Sequence, residues 1–267
     1  RFRILLNGEI YNYLELKELL ASEFRFRTKT DTEVLLCAYL KWGRQCLEKL
    51  IGMFAFIIWD ETNRALFAAR DRFGVKPLYC AALPDGNMAL ASEIKALHAL
   101  GLPREPDPVA WATYLACGTS DHTSRTFWKG IESVPPGHWL TWEAGTARLA
   151  EWYSLYERVG DEVDPRSDEE VAEAYASLLQ DSVSLRFRSD VPVGFNLSGG
   201  LDSSTLLWVV DHAAPNSRNI TALTFATGDP RYDEVCVVRQ MLAGSAHPHE
   251  ICMLTPQEIP GLAIDVL

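Results

Sequence analysis

The stretch at 52–60, GMFAFIIWD, constrains the fold more than any other part of the chain. It is apolar almost throughout and has the length of a strand rather than a helix. Four polar residues, ETNR, follow it, and ALFAARD then returns as a second run. Two strands joined by so short a turn must lie antiparallel. The same sign recurs at VKPLYCAAL–PDGN–MALAS and within GHWLTWEAGTARLAEWY, which read as two further hairpins. Helical spacing lies between them. YLELKELLAS places Leu14, Leu16, Leu19 and Leu20 in one apolar stripe, and TDTEVLLCAYLKWG is a helix capped by Thr30 or Asp31 and stopped at Gly43. Ser92 is placed to cap EIKALHALG. Helices packed on antiparallel sheets give an α+β domain.

The second part obeys a different rule. At 154–170, SLYERVGDEVDPRSDEE is polar and acidic and has no periodic apolar face. A linker is expected at 158–169, between a domain at 1–157 and another at 170–267. A helix follows, with Val171, Tyr175, Leu178, Ser182 and Leu185 along one stripe. Then come strand VPVGFNL, a Ser-Gly-Gly turn, helix STLLWVVDHAA, strand ITALTFAT and helix DEVCVVRQMLAG. Strand and helix alternate without hairpin signals, which predicts an α/β doubly wound parallel sheet.

Composition narrows the partners. The 267 residues carry a net charge of -11 with no block of like charge. Nucleic acid and anionic membranes are poor partners for such a surface, because phosphate binding needs a basic face. No apolar run reaches the ~20 residues that span a bilayer. The six cysteines, Cys37, Cys46, Cys80, Cys117, Cys236 and Cys252, include no C-x-x-C pair, so zinc and redox readings are weak. Reduced, mostly buried thiols in a cytoplasmic protein are expected. RFRILLNGEI has no starting Met and no signal-peptide layout, and it opens inside an apolar run, so a segment preceding Arg1 is expected.

The stretch FNLSGGLDSS at 195–204 sits where a strand turns into a helix. Gly199 and Gly200 let backbone amides approach an anion, and Ser203 and Ser204 lie where the helix should start. A helix N-terminus offers unpaired N–H groups and a positive dipole end. The usual triphosphate loop needs a Lys that is absent here; Asp202 stands nearby instead. A carboxylate beside a phosphate needs a bridging Mg²⁺, so a magnesium-bound phosphate or pyrophosphate fits. A plain turn, with Gly for tightness and Asp or Ser as helix cap, fits the same residues. SGGLDS resembles the pyrophosphate loop of the N-type ATP pyrophosphatase family.

NGEIYNY at 7–13 is the second motif. The Asn7 side-chain amide beside the Gly8 N–H gives two donors at one point, as an oxyanion hole requires. Glu9 and Asp31 could receive an ammonium. An ordinary Asn-Gly turn with a surface Glu explains the same residues without chemistry. The stretch resembles class II glutamine amidotransferases, whose nucleophile is N-terminal. The ordered set NGEIYNY, TDTEVLL, GMFAFIIWD, LFAARDRFGVKPLY, ASEIKAL, VPPGHWL, SDVPVGFNLSGGLDSS and YDE resembles glutamine-hydrolysing asparagine synthetases over nearly the whole chain.

That resemblance implies an N-terminal-nucleophile glutaminase domain of layered antiparallel sheets, followed by an ATP pyrophosphatase domain. It implies an oxyanion hole at Asn7 and Gly8, and glutamine held also by Glu9 and Asp31. Leu197, Ser198, Gly199, Gly200 and Ser203 would take ATP and pyrophosphate, Asp202 would meet Mg²⁺, and Thr227 would touch adenosine. Asp233 and Glu234 match the family's YDE without a role that the sequence explains. The implied reaction makes asparagine from aspartate with ammonia from glutamine, through an acyl-adenylate, releasing AMP and pyrophosphate. Glutamine, aspartate and ATP are then the partners, and a homodimer is compatible with them.

Three departures qualify the match. The family's nucleophilic Cys and its carboxylate-binding Arg would lie before Arg1. Its second pyrophosphate loop would lie beyond Leu267. HPHE at 247–250 replaces adjacent histidines. The chain therefore reads as a middle piece, incomplete at both ends and expected to show neither glutaminase nor synthetase activity alone. A related amidotransferase or β-lactam-synthetase-like ligase with another acceptor, and a non-catalytic nucleotide-binding fragment, are the alternatives.

Other candidates read as structural. Pro248 between His247 and His249 suggests a turn rather than a metal pair, and His98 and His212 lie in helices. Arg70, Asp71, Arg72 and Lys76 suggest ion pairing that fixes a loop. Trp111, Trp128, Trp139, Trp142 and Trp152 are expected in the core and domain junction.

Overall fold

The computed structural model describes residues 1–161, 163–213 and 220–266. Glu162 of the expected linker, Ala214 at the end of an expected helix, and Leu267 lie outside the described residues. The chain divides into two compact units, Arg1–Glu162 and Val163–Leu267.

The first unit contains strands β1 (Phe2–Ile10), β2 (Gly52–Asp60), β3 (Ala65–Arg70), β4 (Tyr79–Ala82), β5 (Met88–Ala91), β6 (Glu132–Ser133), β7 (His138–Glu143) and β8 (Thr146–Glu151). Its helices are α1 (Tyr13–Leu20), α2 (Asp31–Trp42), α3 (Ile94–Ala99), α4 (Pro108–Cys117) and α5 (Leu155–Val159). One antiparallel sheet has the order β1-β2-β3-β7-β8, and a smaller one the order β5-β4-β6.

The continuous apolar run of β2 is explained by burial on both faces. Phe54, Phe56 and Ile58 join Leu16 and Leu20 of α1 and Val34, Leu35 and Ala38 of α2 in one core. Ala55 turns the other way, packing with Ala68, Leu78, Val134 and Leu140 beneath the smaller sheet. Ala81 and Ala89 of that sheet in turn pack on Leu97 of α3. The layers are therefore helices, sheet, sheet, helix.

All three expected hairpins form. The β2–β3 turn is fixed by Asp60, which accepts from the backbone N–H of Thr62 and Asn63. The β7–β8 turn uses Ala144 and Gly145, with φ of 48° and 81°. Two consecutive positive φ values match the right-handed twist of the flanking strands.

Several local expectations are corrected. Leu14 and Leu19 are exposed, and α1 buries only Leu16 and Leu20, one helical turn apart. Of the two caps expected for α2, Thr30 is the one that forms, accepting from the Glu33 N–H, and Gly43 closes the helix as expected, with a φ of 57°. Ser92 does not cap α3; Glu93 holds that position without a capping side-chain bond. Trp139 is buried, whereas Trp111 is exposed on α4, which has no buried residue.

In the second unit, α6 (Asp168–Arg186) precedes β9 (Gly194–Asn196), α7 (Leu201–Ala213), β10 (Thr221–Ala226), α8 (Val235–Met241), β11 (His249–Met253) and α9 (Ile259–Val266). The segment expected as linker thus carries the end of α5 and the first residues of α6. Helix α6 starts with a capping box between Ser167 and Glu170. The three strands are parallel, with β10 in the middle. Parallel neighbours require crossover helices, and α7 and α8 supply them. Ala222, Thr224 and Ala226 of β10 are buried, while Phe225 between them is exposed.

The stripe expected on α6 is also corrected. Leu185 is buried as expected and Ser182 is half-buried, but Val171, Tyr175 and Leu178 are exposed, and Leu179 and Val183 pack against Val209, Val210 and Ile220. The strand expected over VPVGFNL is paired only at Gly194–Asn196.

Candidate functional site

In the first unit the candidate residues Asn7, Gly8 and Glu9 lie near the end of β1. Asn7, Gly8 and Glu9 are not in a turn. They lie within the strand and pair with Ala55, Phe54 and Met53 of β2. Gly8 has a φ of +138°, and a Cβ there would lie 2.0 Å from the Met53 carbonyl oxygen. Only glycine permits both the dihedral and the approach. Asn-Gly therefore marks a strand distortion rather than a turn.

Asp31 is brought to the same place. Its Oδ2 accepts from the Ile10 N–H at 3.0 Å. With Thr30 as the helix cap, the Asp31 carboxylate is free to face the strand. Ile10 donates away from β2, and Gly8, two residues earlier, shares its phase in the ladder. Asn12 closes the strand end, accepting from the Ile51 N–H and donating to the Lys49 carbonyl.

Asp71 supports this region from the far side of β2. Its carboxylate is buried and accepts from four backbone N–H groups: Phe54 at 3.1 Å, Phe73 at 3.1 Å, Val75 at 3.0 Å and Lys76 at 2.9 Å. Arg70 donates to the carbonyls of Gly74, Lys76 and Val134 and to the Ser133 hydroxyl. Arg72 donates to the Leu50 carbonyl at 2.6 Å. Backbone hydrogen bonds, not the expected ion pairs, fix this loop. Burial pulls both guanidinium pKa values down. Sequence reading missed Asp71 as an acceptor, although an Asp with Gly three residues on, as in Asp71-Arg72-Phe73-Gly74, carries the signal of a turn held by its own side chain.

In the second unit β9 ends at Asn196, and Leu197 beyond it is buried. The Leu197 N–H donates to the Leu223 carbonyl, and its carbonyl accepts from the Thr224 hydroxyl. The next three backbone N–H groups all meet oxygen atoms. Ser198 donates to Ser203 Oγ at 3.2 Å, Gly199 to Glu234 Oε2 at 3.0 Å, and Gly200 to Ser198 Oγ at 3.3 Å. Helix α7 begins at once, with Leu201 and the exposed Asp202 in its first turn. It starts two residues before Ser203, whose hydroxyl donates back to the Ser198 carbonyl at 2.7 Å. All three amides of the loop are thus taken by side-chain oxygens of the chain itself.

Thr227 follows β10. Its N–H and hydroxyl both donate to Asp233 Oδ1, at 2.6 and 2.9 Å, and the Gly228 N–H donates to Oδ2 at 2.8 Å. These bonds, led by the Thr227 N–H, hold the Asp233 carboxyl below its ordinary pKa. Asp233 and Glu234, unexplained by sequence, thus each grip the loop after a different strand.

His247 and His249 point to different partners: Nε2 of His247 lies 3.1 Å from Asp211 Oδ1, and Nε2 of His249 lies 2.9 Å from the Thr224 hydroxyl. Among the described residues, no group of three or more His, Cys, Asp or Glu side chains is placed to hold a metal ion. Among them, too, no helix is long and apolar enough to cross a membrane.

A layered antiparallel unit with Asn-Gly near a strand end, joined to a parallel α/β unit with a Ser-Gly-Gly loop between strand and helix, defines the class. Residues 1–153 match the family described as glutamine amidotransferase domain, and residues 174–267 match the family described as asparagine synthase. The chain belongs to the glutamine amidotransferase domain family and continues into an asparagine synthase segment.

Among its relatives, asparagine synthetase [glutamine-hydrolyzing] 1 of Bacillus subtilis is 34% identical over 259 residues, covering 96% of this chain and 39% of that protein. Asparagine synthetase [glutamine-hydrolyzing] 3 of the same organism is 39% identical over 208 residues, covering 77% of this chain and 33% of that protein. The amidase chyE of Penicillium rubens is 37% identical over 207 residues, covering 76% of this chain and 30% of that protein. The chain thus spans about a third of the length of these curated relatives.

Proposed function

We propose that the chain supplies parts of two coupled sites, one releasing ammonia from glutamine and one using ATP to activate the side-chain carboxylate of aspartate. The observation that carries this reading is the run of three backbone N–H groups, Ser198 to Gly200, each bonded to an oxygen at the start of α7. Leu197 anchors that loop in the core, and Ser198, Gly199, Gly200 and Ser203 would cradle pyrophosphate. Thr227, held by Asp233, would face the adenosine.

Asp202 is exposed in the first turn of α7, three residues after Gly199. It fits a Mg²⁺ ion carried mainly by phosphate oxygens, with Asp202 as the protein's contribution. Such an ion would neutralise phosphate charge as pyrophosphate leaves. Aspartate activated as an acyl-adenylate would be attacked by ammonia, giving asparagine and AMP.

In the first unit, Asn7 and Gly8 would stabilise the oxyanion of the glutamine side-chain amide. Glu9 and Asp31 would receive its ammonium; Asp31 is already fixed beside the strand by Ile10. Two of the chain's thiols are poor nucleophiles, because burial pushes Cys46 up to about 12 and Cys80 to about 11.

The test measures pyrophosphate release by the complete protein. Release should need ATP, Mg²⁺ and aspartate together, and Asp202→Ala should lower MgATP affinity at least about tenfold. Release that ignores aspartate and follows another carboxylic acid would move the assignment to a ligase with a different acceptor. MgATP affinity undiminished by Asp202→Ala would remove the metal role.

A further inference from the structure

Asp233 and Glu234 are neighbours in the chain, yet they serve two loops. Asp233 is half-buried and takes three donors from Thr227 and Gly228. Glu234 is exposed at the start of α8, and its carboxylate takes the Gly199 N–H at 3.0 Å. Gly199 has no side chain to spare on that side. A Cβ there would lie 3.4 Å from Glu234 Cβ and Cδ and 3.2 Å from Val237 Cγ1. The glycine thus lets a carboxylate reach the middle amide of the loop.

We propose that Glu234 is an internal stand-in for phosphate, seated on the Gly199 N–H and displaced when the ligand's pyrophosphate arrives, while Asp233 keeps the Thr227 loop in place. The inference rests on the reading of this loop as a pyrophosphate site. One N–H cannot serve two anions, and a phosphate beside an undisplaced carboxylate is repelled. Glu234 is the group that leaves, because its side chain is long, exposed and held to the loop through this amide. Asp233 stays, because three donors and a shorter side chain fix it. Return of Glu234 to Gly199 would then help the product leave.

The stand-in lowers apparent affinity by the fraction of time that the seat is open. A seat open roughly one-tenth of the time costs about tenfold in binding. The probe is inorganic pyrophosphate with Mg²⁺, titrated calorimetrically into the full chain. Glu234→Gln, which keeps the shape and loses the charge, should bind about tenfold more tightly than the wild type. Glu234→Ala should shift in the same direction, and Asp233→Asn should weaken MgATP. A merely structural role for Glu234 would weaken binding in both of its variants. Equal or weaker pyrophosphate binding by both Glu234 variants overturns the stand-in while leaving the pyrophosphate reading intact. Failure of the wild type and every variant to bind pyrophosphate overturns both.

Discussion

Removing the Asp71 carboxylate is the sharpest test of how the first unit holds its site. The residue is buried, and its two oxygens accept from Phe54, Phe73, Val75 and Lys76. Phe54 is also the β2 partner of Gly8, so the same carboxylate fixes the strand against which the Asn-Gly pair lies. In Asp71→Ala the Phe54 N–H stays buried without that acceptor, at a cost of about 1–3 kcal/mol. The other three amides are nearer to water, and each loses about 0.5–1.5 kcal/mol. Allowing for relaxation, the loss is about 4 kcal/mol, or roughly 10 °C in the midpoint of this unit. Asp71→Asn should cost about half as much. It keeps one accepting oxygen and turns an NH₂ group toward two donors.

Urea unfolding followed by tryptophan fluorescence reads the stability, since Trp139 and Trp152 belong to this core. Amide hydrogen exchange at Phe54, Val75 and Lys76 reads the individual bonds. Loss below about 1 kcal/mol in Asp71→Ala, or unchanged exchange at Phe54, would refute the assignment of these four bonds as the support of the loop.

Three further outcomes follow from the same geometry. Gly8→Ala sets a methyl group 2.0 Å from the Met53 carbonyl at a φ of +138°, and should cost about 3–5 kcal/mol in a thermal melt; a loss under about 1 kcal/mol would mean that β1 does not approach β2 as described. The Asp60 carboxyl is lowered from 3.8 to about 2, chiefly by the Arg1 side chain and then by the Asn63 and Thr62 amides. Its folded pKa is depressed, so its contribution is complete above about pH 4 and is lost as pH falls toward 2; Asp60→Asn should flatten denaturation midpoints across that window. A short alkylation pulse on the native protein should label the exposed Cys117, Cys236 and Cys252 and spare Cys46, whose thiol is buried and pushed up to about 12; mass spectrometry of the peptides shows whether it does.

Local chemistry made the hairpins legible. The turns ETNR and Glu-Ala-Gly-Thr carry their own instructions, through the Asp60 side chain and the positive φ of Ala144 and Gly145. The strand-to-helix corner at Gly199 was legible for the same reason. What local pattern could not supply was the distant partner. Asn7-Gly8 has the composition of a turn, and only the approach of Met53 shows why a strand needs glycine there. Asp31 looked like one of two caps, and its contact with Ile10 depends on a strand folded back from elsewhere. On α6, apolar residues occur on more than one side, and the buried set is chosen by where α7 lies. The resemblance to the family's YDE gave Asp233 and Glu234 no role. Their partners, Thr227 and Gly199, follow different strands.

The excess of acid in this chain, a net charge of -11, has a structural use beyond surface charge. Asp31, Asp71, Asp233 and Glu234 each accept from backbone N–H groups at a strand end or an irregular loop. Such amides have no ladder partner, and leaving them bare inside the protein is costly. A carboxylate suits the task because it offers two oxygens and no competing donor. Charge also strengthens each bond relative to a neutral acceptor. Exposure then separates two kinds of support. Asp71, at 2% exposure and with four donors, cannot be exchanged for an anion from solution. Glu234 is open to water and holds a single amide, the Gly199 N–H, so under the proposed pyrophosphate reading an incoming phosphate would compete with it. The same chemical device builds a buried brace in one unit and, on the proposed reading, would serve as a replaceable occupant in the other.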